Sequence, residues 1–162
     1  MSMEILLADY KSKVHGSDIV NLLDCYSKDP MGGDIPLSDI VKNNLVQELS
    51  NIPQAFSVLC YVDKKPAGLI NCFEAFSTFQ CRPLINIHDV IVATDFRGFG
   101  ISQLMMGEVE KIAKANNCCK ITLEVLEGNK VAKNSYEKFG FSGYELNSRM
   151  GKALFWEKAM QS

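Results

Sequence analysis

The sequence predicts a mixed α/β domain of about seven strands and about four helices. Three observations carry that reading. Runs of β-branched and aromatic residues, "FSVLCYV", "AGLINCFEAF" and "LINIHDVIV", crowd residues 56–92. Stretches with apolar residues at helical spacing lie on both sides of them. A glycine-rich turn, "RGFGIS", stands at 97–102, where a strand pattern hands over to a helical one. Sheet and helix segments therefore interleave, as a sheet covered by helices requires.

Taken in order, residues 4–8 read as a short first strand. In "GSDIVNLLDCYSKDP", Ser17 is placed to cap a helix whose apolar face holds Ile19, Leu22, Leu23 and Tyr26. The segment "SKDPMGGDIPLSD" is dense in Pro, Gly and Asp and reads as a loop. Ser38 then caps a second helix, with Ile40, Val41, Leu45 and Leu49 on one face. Strands follow at 56–63, 67–76 and 84–93, punctuated by "KKP" and "FQCRP". Ile101, Leu104, Met105, Val109 and Ile112 mark a third helix that ends near "ANN". "KITLEVL" (120–126) is a strand, and "NKVAKNSYEKF" (129–139) a fourth helix stopped by Gly140. Short strands "FSGYEL" and "ALFWEKAM" close the chain. With no repeat, low-complexity segment or linker, residues 1–162 are expected to form a single domain.

Composition narrows the partners. The 162 residues are 47% hydrophobic and 22% charged, with a net charge of −2. That balance gives no reason to expect nucleic acid or an anionic membrane. The six cysteines show no C-x-x-C spacing, and no histidine lies close enough in sequence to suggest a zinc pattern. Several sit inside apolar runs, where a reduced cysteine acts as a small hydrophobe. No metal is expected, and the chain reads as reduced, soluble and cytoplasmic. Its N-terminus lacks the form of a signal peptide, and no apolar stretch is long enough to span a bilayer.

The turn at 97–102 carries the chemical signal. N–H groups in a helix's first turn lack internal partners, and the helix dipole adds partial positive charge there. Glycines let an anion reach that backbone, and Arg97 would add a fork of donors. The motif is neither G-x-x-x-x-G-K-[ST] nor G-x-G-x-x-G. A turn whose glycines serve only backbone geometry is the plainer reading of this stretch alone. Followed by "ITLEV" and "GNKVAKNSYEKFGF", however, it resembles the GNAT superfamily of acyl-CoA-dependent N-acetyltransferases. The family's pyrophosphate loop, Q/R-x-x-G-x-G/A, is matched by Arg97 and Gly100, with Ser102 in place of the final small residue. Its later N-x-x-A-x-x-x-Y segment with a G-F pair is matched by Asn129, Ala132, Tyr136, Gly140 and Phe141.

The resemblance implies the GNAT fold, a mixed, mostly antiparallel sheet, and acetyl-CoA as co-substrate. The pantetheine arm would pair with the main chain of Val90, Ile91 and Val92, and the pyrophosphate would fall on Arg97, Gly98, Phe99, Gly100, Ile101 and Ser102. Asn129 would touch pantetheine and Ala132 would leave room for it; a helix cap and a helix former are their plain roles. Tyr136 is implied as the general acid for the departing thiolate, and as a core aromatic otherwise. His88 and Glu124 are the two candidate bases. Strand alternation places His88 on the face of Val90 and Val92, with Asp89 opposite in a structural role. The acceptor would be a small-molecule or peptide amine, received by the 26–37 loop or by an apolar wall of Phe76, Phe79 and Glu74. A non-catalytic acyl-CoA-binding or regulatory module of the same fold is the alternative. Homodimers are common in the family, although no interface stripe identifies itself here.

Overall fold

A computed structural model describes residues 1–161. The chain divides into two compact units, Met1–Leu123 and Glu124–Ser162. The first holds a sheet of β1 (Met3–Leu7), β2 (Ala55–Val62), β3 (Lys65–Ser77), β4 (Arg82–Val92) and β5 (Ile121–Leu123), in spatial order equal to chain order. β1 to β4 pair antiparallel, and β5 joins β4 in parallel. Helices α1 (Lys13–Ser27), α2 (Asp39–Ser50) and α3 (Ile101–Ala115) belong to this unit, and α4 (Lys130–Phe139) to the second. The fold class and the four helices match the expectation.

Local chemistry explains most boundaries. Asp63 and Lys64 both take positive φ between β2 and β3, the geometry of a two-residue hairpin turn that suits strand twist. The Ser38 side chain accepts from Val41 N and starts α2. α3 is the crossover that a parallel β4–β5 pair needs. Its Ile101, Met105, Met106 and Val109 are buried, with Met105 against Gly68 of β3. On the other sheet face, Ile19 and Leu22 of α1 meet Leu59, Leu69 and Ile91. Each such side chain contributes about 1.5–3 kcal/mol when fully buried.

Three expectations need correction. α1 begins at Lys13, capped by Ser12 rather than Ser17, and the Ser12 hydroxyl accepts from His15 N. Gly16 therefore lies inside the helix, where a Cβ would stand 3.3 Å from Val46 of α2. Second, β5 stops at Leu123, which leaves Glu124 beyond the strand. Third, the sheet has five strands and not seven. "FSGYEL" contributes only an isolated antiparallel bridge, Glu145 to Lys152, and "ALFWEKAM" just after it forms no strand. Between them Asn147 Oδ1 accepts from Arg149 N and Met150 N, and Gly151 takes φ 76°, so a turn is made without strands to flank it. Apolar alternation marks a face, but a strand exists only where a neighbour takes its hydrogen bonds.

All six cysteines are free. No helix among the described residues is long and apolar enough to cross a membrane.

Candidate active site

The first unit carries an open strand edge that runs toward the glycine turn. β3 flanks the whole of β4, but β5 pairs only with Ile85–Ile87. From His88 to Val92 the other edge of β4 has no strand partner among the described residues. Ala93 N donates to Ala67 O, toward β3. Antiparallel alternation therefore turns the main chain of Ile91 toward β3 and those of Val90 and Val92 toward the open side. Ile91 is also buried in the core cluster. Of the three strand residues, Val90 and Val92 present free-edge groups and Ile91 does not.

Beyond Val92 a single 3₁₀ turn (Thr94–Phe96) leads to Arg97. Gly98 and Gly100 follow at φ 85° and 75°, left-handed values that an L side chain resists. Gly100 is also the residue that precedes α3, so no side chain caps that helix. The N–H groups of Gly98, Phe99 and Gly100 point at no acceptor among the described residues. Main-chain donors at a helix N-terminus favour negative charge. Arg97, just before it, donates from Nε to Val92 O and from Nη2 to Asp29 Oδ2, both at 3.3 Å.

His88 does not share a face with Val90 and Val92. The β3–β4 register shifts between Asn71 and Cys72, pairing Asn71 with Asp89 and Cys72 with Ile87. His88 is the extra residue of this β-bulge, and past it the strand's faces exchange. Its ring meets Phe73 edge-on at 5.8 Å, on the side of the sheet that also holds Asp89. Val90 and Val92 pair with Ile70 and Gly68 and face the other way.

Asp89 ends a buried polar chain that the sequence did not reveal. Asn71 Nδ2 donates to Asp89 Oδ2 at 3.0 Å, Ser57 Oγ donates to Asn71 Oδ1 at 2.7 Å, and Tyr10 OH lies 2.8 Å from Ser57 Oγ. Ser57 and Asn71 are buried. The available signal was two polar residues inside the apolar runs "FSVLCYV" and "LINCF". Tyr26, at the end of α1, has its pKa raised by burial first and then by the Asp89 and Asp29 carboxylates, with Arg97 opposing. Tyr26, Asp29, Asp89 and Arg97 thus form one electrostatic cluster, from segments far apart in sequence. Glu74, by contrast, accepts from Asn116 at the far end of α3, about 20 Å along the helix from the glycine turn. Phe76 and Phe79 on the same hairpin are exposed, so that wall is not brought to this cluster.

In the second unit, Asn129 Oδ1 accepts from Ala132 N and caps α4, and Gly140 ends it at φ 114°. Asn129, Ala132 and Tyr136 are half-buried along one helix face, whereas Val131 is exposed. The Tyr136 ring meets Phe141 edge-on at 6.1 Å. Glu124 is exposed. No group of three or more potential metal ligands occurs among the described residues.

Comparison with known proteins gives the class. A family model described as the acetyltransferase (GNAT) family matches residues 21–141. An uncharacterized N-acetyltransferase of Methanocaldococcus jannaschii is 32% identical over 89 residues, which cover 54% of this chain and 39% of that protein. The match thus spans about two-fifths of the relative's length. An integron cassette protein from the mobile metagenome of V. cholerae superposes with a TM-score of 0.77, at 22% identity, over 98% of this chain and 94% of its own. An aminoglycoside acetyltransferase from an uncultured soil metagenomic sample does so with a TM-score of 0.79, at 12% identity, over 98% and 97%. At those identities the structures speak for the fold alone. The chain belongs to the GNAT acetyltransferase family.

Proposed function

We propose that this protein is an acetyl-CoA-dependent N-acetyltransferase acting as one domain over its whole length. The observation that carries the reading is the open edge of β4 leading into the uncapped start of α3. Main-chain groups of Val90 and Val92 can pair with the amides of a pantetheine arm as an added strand would. The N–H groups at 98–100 and the first turn of α3 suit its pyrophosphate, with Arg97 as a charged donor. Ile101 and Ser102 contribute main chain there, and Ile91 contributes packing from below.

Acetyl-CoA supplies an acyl group activated as a thioester. The acceptor nitrogen must be neutral to attack the carbonyl carbon; the C–N bond forms as the C–S bond breaks. One proton leaves nitrogen and one reaches sulfur. Tyr136 is the proposed donor to sulfur, because a phenol keeps its proton at neutral pH. The base is His88, which stands exposed at the bulge, or Glu124. Asn129 and Ala132 share the helix face of Tyr136 and would meet the pantetheine arm. The acceptor on this reading is a small-molecule or peptide amine.

Thermal stabilisation tests the reading. CoA should raise the melting temperature, whereas pantetheine, which lacks the pyrophosphate, should do so far less. Equal shifts from both would remove the anion seat from the account, and no shift from CoA would remove the function.

A further inference from the structure

Arg97 occupies two groups that the proposed ligands need. Its Nε holds the Val92 carbonyl, which lies on the open edge of β4. Its Nη2 holds Asp29 Oδ2. These two donors form one edge of the guanidinium, one of the two edges on which arginine grips a phosphate with paired hydrogen bonds. That edge is filled by the protein itself. Asp29 keeps its other oxygen on Met31 N at 3.1 Å, so its carboxylate is fixed in place whether or not Arg97 is there. The partners are 68 residues apart in sequence, and one belongs to the loop between α1 and α2.

We infer that Arg97 is a placeholder, and that its departure toward the CoA pyrophosphate uncovers Asp29 as the anchor for a cationic group of the acceptor. The inference rests on the reading above. A dianionic pyrophosphate on the 98–100 donors is a stronger partner for a half-exposed guanidinium than one carboxylate. When Arg97 swings to it, the Val92 carbonyl becomes free for a pantetheine N–H. Asp29 Oδ2 loses its cation at the same moment. Asp29 and Asp89 then stand about Tyr26 without Arg97 to offset them. Two carboxylates about one phenol favour a positive ligand. The reacting nitrogen must be neutral, so a lasting ion pair with Asp29 suits a second cationic group. The acceptor class is therefore an amine that bears at least one further positive charge, and CoA binds before it.

The test uses the full chain, its Asp29→Asn variant, and CoA as the titrant in calorimetry. Asparagine still caps Met31 N. Asp29→Ser, which can also cap, serves if the first variant is poorly folded. Arg97 no longer has to leave a carboxylate, so CoA should bind about two- to fivefold tighter, the range for a half-exposed ion pair. In the native chain with CoA present, putrescine should bind more tightly than n-butylamine, and the substitution should abolish that preference. Unchanged or weaker CoA affinity in Asp29→Asn overturns the exchange, because Asp29 would then be orienting Arg97. Equal binding of the two amines by the native chain overturns the acceptor class. Failure of the native chain to bind CoA at all strikes the functional reading beneath the inference, and the two failures are told apart by that first titration.

Discussion

Replacing Gly100 by alanine separates the strain of the glycine turn from its ligand contacts. Gly100 has φ 75°, and an added Cβ would meet no heavy atom within 4 Å. The protein itself therefore offers no clash, and the cost is the left-handed backbone alone, about 1–2 kcal/mol. For a chain of 162 residues, that corresponds to a fall in Tm of about 2–8 °C. Gly107→Ala is the control. It lies inside α3 with equally open space around it, so alanine should be neutral or stabilising by up to about 1 kcal/mol. The new methyl at 100 would also project beside the main-chain donors of the anion seat. CoA affinity should fall about tenfold or more, a loss of about 1.4 kcal/mol, while Gly107→Ala leaves it unchanged. Differential scanning calorimetry and a CoA titration on both variants make the measurement. A full loss of Tm with native CoA affinity would take the pyrophosphate away from this turn. An unchanged Tm would contradict the left-handed geometry itself.

Asn71→Ala removes two hydrogen bonds, one of them to the Asp89 carboxylate, and leaves the buried Ser57 hydroxyl with Tyr10 alone. Urea denaturation should show a loss of about 2–3 kcal/mol; a loss below about 0.5 would mean that the polar chain is not formed in solution. Tyr136→Phe should lower kcat by about 10²–10⁴-fold with little change in KM for acetyl-CoA, and full turnover would return Tyr136 to a packing role. His88→Gln should flatten the acid limb of the kcat/KM profile; if Glu124→Gln does so instead, Glu124 is the base. Asp24 is held below the ordinary carboxylate range, first by the Lys28 ammonium and then by the Leu37 N–H and Lys42. A lowered folded-state pKa gives stability that is complete above the unfolded-state value and lost as pH falls through the folded one. The Tm deficit of Asp24→Asn should therefore be largest near neutral pH and shrink below about pH 4. A deficit that is constant with pH would rule out the ion pairs as its source.

What the sequence determined by itself was whatever is settled within a few residues. Ser38 and Asn129 cap their helices through N–H groups three residues on, and Gly140 ends α4 at a positive φ that its missing Cβ permits. The order of strands and helices followed from apolar spacing, and "RGFGIS" carried its own backbone geometry into the start of α3. Other features depended on which segment came to lie beside which. Ser12 rather than Ser17 begins α1, and Gly16 inside it packs closely on Val46 of α2. The bulge that turns His88 toward Phe73 arises from the pairing of β4 with β3, and no residue in "NIHDV" announces it. The last two expected strands found no ladder to join. The sequence suggested Arg97 as a phosphate donor, but its hold on Asp29 spans 68 residues and becomes visible only when the loop after α1 reaches the turn before α3. Caps and turns are decided by local hydrogen bonds, whereas faces, registers and ion partners are decided by contacts that exist only once the chain has folded.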